Sequence, residues 1–312
     1  MPIPRQPCRA GRDQTSPPGS TRPSGRRAAA CVRACLLSAV LAAAGAGSAV
    51  AQVADDEWQL GTFPSFSSGR YGGDTSTEVL HTAVTARRLF DDGDITVVLP
   101  HTCVWGDSGV TVVNGIPVRT ERLVQAETGD ARLGRLEADA TSTTARARTS
   151  ACGLGDIVVR GRYYVVDGGG RRPTVALQAH VKAPTASADH GLGTGRFDEG
   201  IAVEVSQGLG RSTLLMADGG YTLLGDPQGV ELDDNWWYDI GVGQDLAGGV
   251  VNVSLFFEQY RALVPGLPGA RDVLAALTLR ATGGWQVQAA ALAGLSHGAP
   301  DRGFTLGASR RF

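Results

Sequence analysis

The residue types that most often perform catalysis or hold metals are few in this chain and are widely spaced. Its five histidines are His81, His101, His180, His190 and His297. None of them stands at metal-ligand spacing from a cysteine or from another histidine. The tetrapeptide Gly-Asp-Ser-Gly at 106–109 imitates the nucleophile motif of serine proteases but lacks the Gly-Pro that follows it there. We therefore predict no catalytic residue, no metal site and no cofactor, and a protein that is not an enzyme.

Two other patterns could hold a ligand. The Gly-x-Gly pieces at Gly153 and Gly193 precede no predicted helix, so they are not phosphate-binding loops. The segment 226–234 is rich in carboxylates, whose oxygens could bind a divalent cation. A solvated acidic loop accounts for the same residues more simply, and we predict that instead.

Charged residues at alternating positions of otherwise apolar segments are the more informative pattern. A basic set comes first in the chain, and an acidic set follows it. The basic set is Arg160, Arg162, His180 and Lys182, and the acidic set is Glu204, Asp218, Asp239 and Glu258. Opposed charges across a narrow aqueous gap would orient polar or anionic solutes and tolerate an apolar ring. That chemistry requires both sets to share one face of a sheet. In the alternative interpretation the charges pair with one another and only brace the wall.

Strict alternation of apolar and polar residues predicts the strands that would position these charges. Val175, Leu177, Ala179 and Val181 are apolar, while the residues between them are mostly polar. The same period of two recurs at 201–206, 251–258 and 273–280. We predict twelve strands, at 57–67, 77–90, 94–105, 154–166, 172–184, 197–208, 212–225, 234–246, 249–261, 270–281, 284–295 and 302–312.

The connections between these strands alternate between short and long. Turns such as 91–94 and 208–211 are short, whereas 106–153 and 184–196 are long. Outer-membrane barrels have short periplasmic turns and longer external loops, and a soluble sandwich has no reason to sort its loops in this way. We therefore predict an all-β fold, a twelve-stranded antiparallel transmembrane (outer-membrane) β-barrel over 52–312, with a long extracellular loop at 106–153. A charge facing lipid would cost about 2–4 kcal/mol at mid-membrane, so both charged sets are expected to face the lumen.

The two ends of the chain carry signals for export. Residues 1–33 hold seven arginines and one aspartate, a short apolar run follows, and Ala49-Val50-Ala51 fits a cleavage site. We predict an N-terminal extension and signal peptide over 1–51, cleaved after Ala51, in preference to a membrane-anchoring helix. The terminal Phe312 ends an alternating strand, and we expect barrel-assembly machinery to recognise it. Together these features predict a bacterial outer-membrane protein.

Only two of the five cysteines, Cys103 and Cys152, remain after the predicted cleavage. They lie at the outer ends of the third and fourth predicted strands, which should be neighbours, and the compartment is oxidising. We predict that they form a disulfide that closes the long loop. The alternative is two free thiols.

Three short motifs resemble those of a known family. They are Gly-Leu-Gly-Asp at 153–156, Lys-Ala-Pro-Thr at 182–185 and Gly-Thr-Gly at 193–195. In this order they resemble the outer-membrane family called "putative MetA-pathway of phenol degradation", often labelled simply transporter, over about residues 57–312. The resemblance implies a bacterial outer-membrane barrel that passes small, aromatic or hydrophobic solutes. The segment 106–152 does not match the family pattern in detail.

The function that combines these observations is an outer-membrane channel or transporter for small solutes with a charged lumen. One alternative is a structural or surface-binding barrel whose 106–152 segment recognises a partner. Another is a lipid-active enzyme with His81 and His101 on the outer face, although no serine lies two residues from either. The expected partners are a small solute and outer-membrane lipid. A single lysine and the lack of a basic block after the first 35 residues give nucleic-acid binding little support.

Overall fold

The computed structural model describes residues 57–71, 75–107, 110–113, 116–119, 148–168, 172–227 and 231–312. The predicted signal peptide over 1–51 lies outside these ranges, as does most of the predicted loop at 106–153. Within the described ranges, no helix is long and apolar enough to cross a membrane.

The described residues form fifteen strands joined by turns and loops. In chain order they are β1 Glu57–Gly69, β2 Thr77–Phe90, β3 Gly93–Asp107, β4 Val110–Val113, β5 Ile116–Arg119, β6 Arg148–Leu154, β7 Ile157–Val166, β8 Thr174–Ala183, β9 Asp198–Leu209, β10 Thr213–Leu223, β11 Asn235–Leu246, β12 Val251–Tyr260, β13 Arg271–Arg280, β14 Trp285–Gly294 and β15 Arg302–Arg311.

The strands close into a barrel with twelve positions around its wall. β1 pairs with both β2 and β15, so the sheet has no break between its first and last strands. β3 pairs with β7 near its start and with β6 near its end. β6 and β7 therefore share one wall position, interrupted at Gly155 and Asp156. All neighbours are antiparallel, and the predicted twelve-stranded barrel is confirmed.

The predicted loop at 106–153 is shorter at both ends than the sequence suggested. The ladder between β3 and β6 continues outward to the pair Asp107–Arg148, because both segments keep an extended backbone beyond the rest of the wall. The first part of the loop also folds back as a hairpin, in which β4 pairs with β5.

One end of the barrel carries the longer connections, and we call it the outer end. These connections are 70–76, 108–147, 184–197, 224–234, 261–270 and 295–301. At the opposite end, the turns at 247–249 and 282–284 are single turns of 3-10 helix. Gly248 and Gly283 have φ values of 70° and 72°, a region that glycine enters without steric cost. This explains why glycine pairs occupy these tight turns.

The two faces of the wall have opposite character. On β8, Leu177 and Val181 are exposed on the outer face, whereas Gln178 and His180, which lie between them, and Lys182, which follows, are buried. Large exposed apolar residues recur on the outer face of the other wall strands, and aromatic residues such as Trp236 and Trp285 stand near strand ends. This outer surface suits a bilayer with interfacial aromatic side chains.

The lumen also contains an apolar layer that spans most of its width. Its buried members are Phe63, Ala83, Val98, Met216, Phe256, Leu274, Ala290 and Leu292. Two glycines make room for its aromatic rings. A Cβ at Gly307 would collide with the ring of Phe63, and one at Gly241 would collide with the ring of Phe256. The rings therefore lie flat across the wall, inside the barrel.

The β4–β5 hairpin packs over the outer end of the barrel. Val113 is fully buried among Leu224, Leu232, Leu263 and Val264, which come from two different outer loops, 224–234 and 261–270. The neighbouring Val112 packs in a second cluster, and its amide donates to the carbonyl of Gly191 at 3.0 Å. The hairpin thus joins the outer loops into one cover.

Tyr71 lies beneath this cover. It is 3% exposed, and its hydroxyl is 3.4 Å from the Ser67 hydroxyl. Burial raises the pKa of the Tyr71 hydroxyl far above its usual range. The ring therefore stays uncharged and belongs to the packed outer layer.

Candidate functional site

The lumen holds a cavity of about 260 Å³ between the apolar layer and the outer cover. Six of the eight predicted lumen residues line it, and they are Arg160, His180, Lys182, Glu204, Asp218 and Glu258. The other two, Arg162 and Asp239, have the same inward parity on β7 and β11 but do not line the cavity. Phe66, Leu274 and Leu292 add apolar surface to its wall. The cavity is therefore amphipathic, with charged and apolar sides.

Arg162 bridges carboxylates on both sides of its strand. Its Nη2 donates to Oε1 of Glu204 at 2.9 Å, and its Nε lies 2.8 Å from Oε2 of Glu204. Its Nη1 lies 3.7 Å from Asp94, which also accepts from Nη2 of Arg87 at 2.6 Å. Sequence reasoning missed Asp94, although its place at the start of β3 on the inward face was a usable signal. The predicted basic and acidic sets are therefore not separate here, because Arg162 of the first is ion-paired with Glu204 of the second.

Lys182 is enclosed in an ion cluster and is 1% exposed. Its Nζ lies 2.7 Å from Asp198 and 3.1 Å from Asp156, and it donates to the Thr194 hydroxyl at 2.9 Å. All three donor positions of the ammonium are thus engaged. The charge of Lys182 is therefore neutralised by its two carboxylate partners at the outer end of the wall. The same contacts link Asp156, at the break between β6 and β7, to Thr194 in the loop after β8.

This cluster gives a physical role to the family-like motifs. Asp156 comes from Gly-Leu-Gly-Asp, Lys182 and Thr185 from Lys-Ala-Pro-Thr, and Thr194 from Gly-Thr-Gly. The Thr185 hydroxyl donates to the carbonyl of Gly155 at 2.8 Å and accepts from the amide of Ile157 at 2.9 Å. The three motifs therefore meet in space, and they fix the wall where its hydrogen-bonded ladder is interrupted.

Arg160 is the cation that stays open to a ligand. It lies directly across from His180 in the β7–β8 ladder and lines the cavity. Its buried Nε has no hydrogen-bond partner, and no carboxylate of the described chain forms an ion pair with the side chain. A buried N–H without an acceptor is costly, so the Nε of Arg160 is a donor that an acceptor group in the cavity could engage.

His81 faces the lumen, which corrects the expectation that it could face lipid. Its Nδ1 lies 3.0 Å from the Thr102 hydroxyl, and its ring lines the cavity. The inward parity of Val79 and Ala83 on the same strand places it there. His101 does lie on the outer face and is exposed. The two histidines of the lipid-active alternative are therefore on opposite sides of the wall.

Five carboxylates form one row across five adjacent strands. Glu204 pairs with Asp218, Asp218 with Asp239, Asp239 with Glu258, and Glu258 with Asp272 in the registers of β9 to β13. We call these residues the acidic row. Four of them were predicted as lumen residues, while Asp272 was missed although it shares its parity with the inward Leu274.

An aromatic pair stands next to the acidic row. Trp237 and Tyr260 are directly paired across β11 and β12, with ring centroids 6.3 Å apart and planes inclined by 27°. Trp237 lies two residues before Asp239, and Tyr260 lies two residues after Glu258, so both share the inward face with the acids. Both line the cavity. Sequence reasoning did not single out Trp237, although its parity with Asp239 would have identified it.

Cys103 and Cys152 are joined by a disulfide, as the sequence predicted. They are direct partners in the β3–β6 ladder. The bond therefore clamps the base of the long outer loop to the wall.

Comparison with known proteins gives one family and a set of structural relatives. The family described as "Putative MetA-pathway of phenol degradation" matches residues 119–312. An outer membrane channel from Pseudomonas putida F1 aligns with a TM-score of 0.58 at 11% identity, covering 84% of this chain and 97% of that one. At such identity the likeness shows the fold alone.

Two further solved structures align less closely. The NanC porin aligns with a TM-score of 0.46 at 10% identity, covering 80% of this chain and 98% of that one. The CymD monoaromatic hydrocarbon channel aligns with a TM-score of 0.42 at 9% identity, covering 83% of this chain and 89% of that one. No curated protein sequence matches this chain.

Proposed function

The chain belongs to the family described as "Putative MetA-pathway of phenol degradation", and from this premise we propose that it is an outer-membrane channel that passes small solutes along its lumen. The observation that carries the proposal is the amphipathic cavity inside a closed barrel with an apolar outer face. A barrel that served only to anchor the protein in the membrane would gain nothing from unpaired buried charges, because each such charge lowers the free energy of unfolding.

The path we propose runs between the remaining basic side and the acidic row. Arg160 and Arg162, with His180 and Lys182 on the neighbouring strand, form the basic side, and Glu204, Asp218, Asp239 and Glu258 form the acidic side. Lys182 and Arg162 are already neutralised by carboxylate partners. The electric field across the lumen therefore comes mainly from Arg160 and from the acids after Glu204. Such a field acts on the orientation of a passing solute.

The solute class that fits best is a small molecule with a polar group and an apolar or aromatic body. Trp237 and Tyr260 offer ring faces at the cavity wall, and Leu274 and Leu292 offer aliphatic surface. Ring faces and aliphatic surface beside charged groups suit amphipathic rather than sugar-like solutes.

Export and assembly complete the proposal. We propose that residues 1–51 are removed as a signal peptide after Ala51, and that residues 52–312 fold in the bacterial outer membrane. Phe312 is exposed at the end of the last strand, where assembly machinery could bind it. We assign no catalytic residue to the chain.

A second candidate function is surface binding by the outer cover. The observation that favours it is the disulfide-clamped loop, whose hairpin seals the outer loops together instead of leaving the mouth open. In this case the barrel would hold the loop and conduct nothing.

Single-channel recording decides between the two. Refolded protein in planar bilayers should show discrete conductance steps in potassium chloride, and benzoate should change the current because it can enter the amphipathic cavity. Silence at all voltages, with the protein shown to be inserted and folded by electrophoretic mobility, would favour the surface-binding function. Release of fatty acid from phospholipid vesicles would instead revive the lipid-active alternative.

A further inference from the structure

We propose that the acidic row and the Trp237–Tyr260 pair form a binding site for an organic cation, an ammonium group carried on an aromatic or aliphatic body. The proposal rests on the function proposed above, since it names one class of solute for that lumen. Its evidence lies in the charge balance of the row, in two unpartnered oxygens, and in the placement of the aromatic rings.

The acidic row carries more negative charge than its neighbours balance. Among the described residues, an ion pair is formed by one of its five members, Glu204, with Arg162. Within the described part of the chain, no basic side chain forms an ion pair with the others, which are Asp218, Asp239, Glu258 and Asp272. Like charges directly opposite one another on adjacent strands destabilise a sheet. A shared proton or a bound cation between them relieves this repulsion.

Two buried side-chain oxygens beside the acidic row lack hydrogen-bond donors among the described residues. Glu258 is directly paired with Asp272 in the register of β12 and β13, and Tyr260 follows Glu258 by two residues on the same face. Within the part of the chain that the structure describes, no hydrogen-bond donor reaches the Oδ1 atom of Asp272, although this residue is only 3% exposed. The Oδ1 atom of Asn235, which is 2% exposed and lines the same cavity, also has none. Buried acceptors without donors are expensive, so both oxygens point to a missing donor such as an ammonium group.

The aromatic pair lies on the same face of the wall as the acids. Trp237 and Tyr260 present their rings to the cavity beside Asp239 and Glu258. Tryptophan and tyrosine faces attract cations within about 6 Å of the ring centroid, most strongly when water is excluded. Carboxylates and ring faces together select a cation with an organic body over a bare ion, because the rings add nothing to a fully hydrated metal.

The arrangement of the acids argues for the same choice. Among residues 57–312, less the segments that the structure leaves undescribed, no group of three or more His, Cys, Asp or Glu side chains converges as a metal would require. The acids are spread along a row, with one to each strand. This spacing suits an ammonium group on an organic body, which uses separate hydrogen-bond acceptors and ring faces instead of a converging set of ligand oxygens, in a cavity of about 260 Å³.

The row also gives such a solute a route. Glu204 and Asp218 stand near the middle of β9 and β10, Asp239 stands nearer the outer end of β11, and Asp272 is the second residue of β13 at its outer end. Because barrel strands are tilted, a row perpendicular to them climbs the wall. The acids therefore lead from the outer rim down to mid-height.

Binding in detergent solution tests the inference without requiring transport. Titration calorimetry of the refolded full barrel with benzylammonium should show saturable binding, while benzyl alcohol and benzoate, which have the same ring, should bind at least about tenfold more weakly. The double variant Glu258→Gln/Asp272→Asn and the single variant Trp237→Leu should each weaken benzylammonium binding about tenfold or more. The control Glu199→Gln removes a charge from the exposed outer face of β9 and should leave binding unchanged.

Each other outcome overturns the proposal. Equal binding of benzyl alcohol would show an apolar pocket without a charge requirement. Binding of calcium chloride in place of benzylammonium would show a metal site, and no binding of either would show that shared protons satisfy the row. Trp237→Leu keeps every charge, so it stays informative if the double variant fails to fold.

A bilayer recording separates this inference from the proposed function. Wild-type conductance in potassium chloride that benzylammonium blocks more strongly than benzoate would support both. Conductance that benzylammonium leaves unchanged would overturn the cation site alone. A silent but folded barrel that binds benzylammonium in detergent would overturn the channel function and keep the site as a ligand-binding site.

Discussion

Arg162 on β7 and Glu204 on β9 meet across the intervening strand β8 on the lumen wall, with Nε 2.8 Å from Oε2 and Nη2 donating to Oε1 at 2.9 Å. This paired fork–carboxylate contact neutralises the first member of the acidic row. It leaves the four later members without a cation among the described residues, and it leaves Arg160 as the open positive group. In the proposed channel, a solute would therefore meet Arg160 on one side and the acids from Asp218 to Asp272 on the other.

Loss of the Lys182 ammonium should strongly destabilise the barrel. Lys182→Met keeps the length of the side chain but leaves Asp198 and Asp156 buried without a cation. Removal of one partner from a buried ion pair costs about 3–5 kcal/mol, so the free energy of unfolding should fall by that order. Urea unfolding in lipid vesicles, followed by tryptophan fluorescence, measures it.

The matched control for that variant is Arg70→Gln. Arg70 lies 4.0 Å from Asp301, and both side chains are more than half exposed. Exposed ion pairs contribute about 0–1 kcal/mol, so the control should unfold close to the wild type. Equal stability of both variants would contradict the role given to the Lys182 cluster.

The architecture could be predicted from the sequence because a barrel wall imposes one simple rule along each strand. The alternation around Leu177 and Val181 is visible as letters, and twelve such segments with sorted turns leave few other folds. The break at Gly155 and Asp156 could not be foreseen. It depends on β6 and β7 pairing with different parts of β3, which is a tertiary relation that no local pattern encodes.

The inward orientation of the charges was predictable by parity, but their partners were not. Alternation places Lys182 and Asp198 on the same face, yet only the register of β8 and β9 brings them within 2.7 Å. The apolar layer was missed because Phe63 and Phe256 look like lipid-facing residues until their parity is compared with that of the charged residues. The alternation along a strand shows which face a residue takes. The shape and charge of the lumen depend on which residues of distant strands meet, and the alternation does not show that.

The apolar layer should limit conduction. Phe63→Ala and Phe256→Ala each remove a ring that lies inside the barrel against the wall, over a glycine. Each variant should raise single-channel conductance, and the double variant should raise it most, because the narrowest part of the path widens. Leu306→Ala, at a residue 52% exposed on the outer face of β15, is the control and should conduct as the wild type does. Unchanged conductance in the double variant would place the constriction elsewhere.

The hairpin cover should restrict access from the outer end. Val113→Asp puts a carboxylate into a fully buried apolar cluster and should release the β4–β5 hairpin from the outer loops. We expect larger or more frequent openings in bilayer recordings, with the barrel itself intact. Thr111→Asp, at a half-buried position of the same strand, should have a much smaller effect. Identical gating in the Val113 variant would contradict the role of the hairpin as a cover.

The disulfide should add stability through the unfolded chain. The bond between Cys103 and Cys152 joins residues 49 apart in sequence, and loop-closure entropy for that length corresponds to roughly 4 kcal/mol. Protein from intact cells should show no alkylation of either thiol in mass spectrometry. The double variant Cys103→Ser/Cys152→Ser should unfold at lower urea concentration. Full alkylation of both thiols in native protein would contradict the bond.

Reversal potentials across a potassium chloride gradient test most directly the claim that the charged lumen is the solute path. Arg160→Gln/Arg162→Gln should shift the permeability ratio toward potassium, and Asp239→Asn/Glu258→Gln should shift it toward chloride, each by about twofold or more. Arg172→Gln and Glu199→Gln, at exposed positions outside the lumen, should leave the ratio unchanged. If both double variants fold and keep the wild-type ratio, or if the wild type never conducts, these charges only brace the wall and the channel account is wrong.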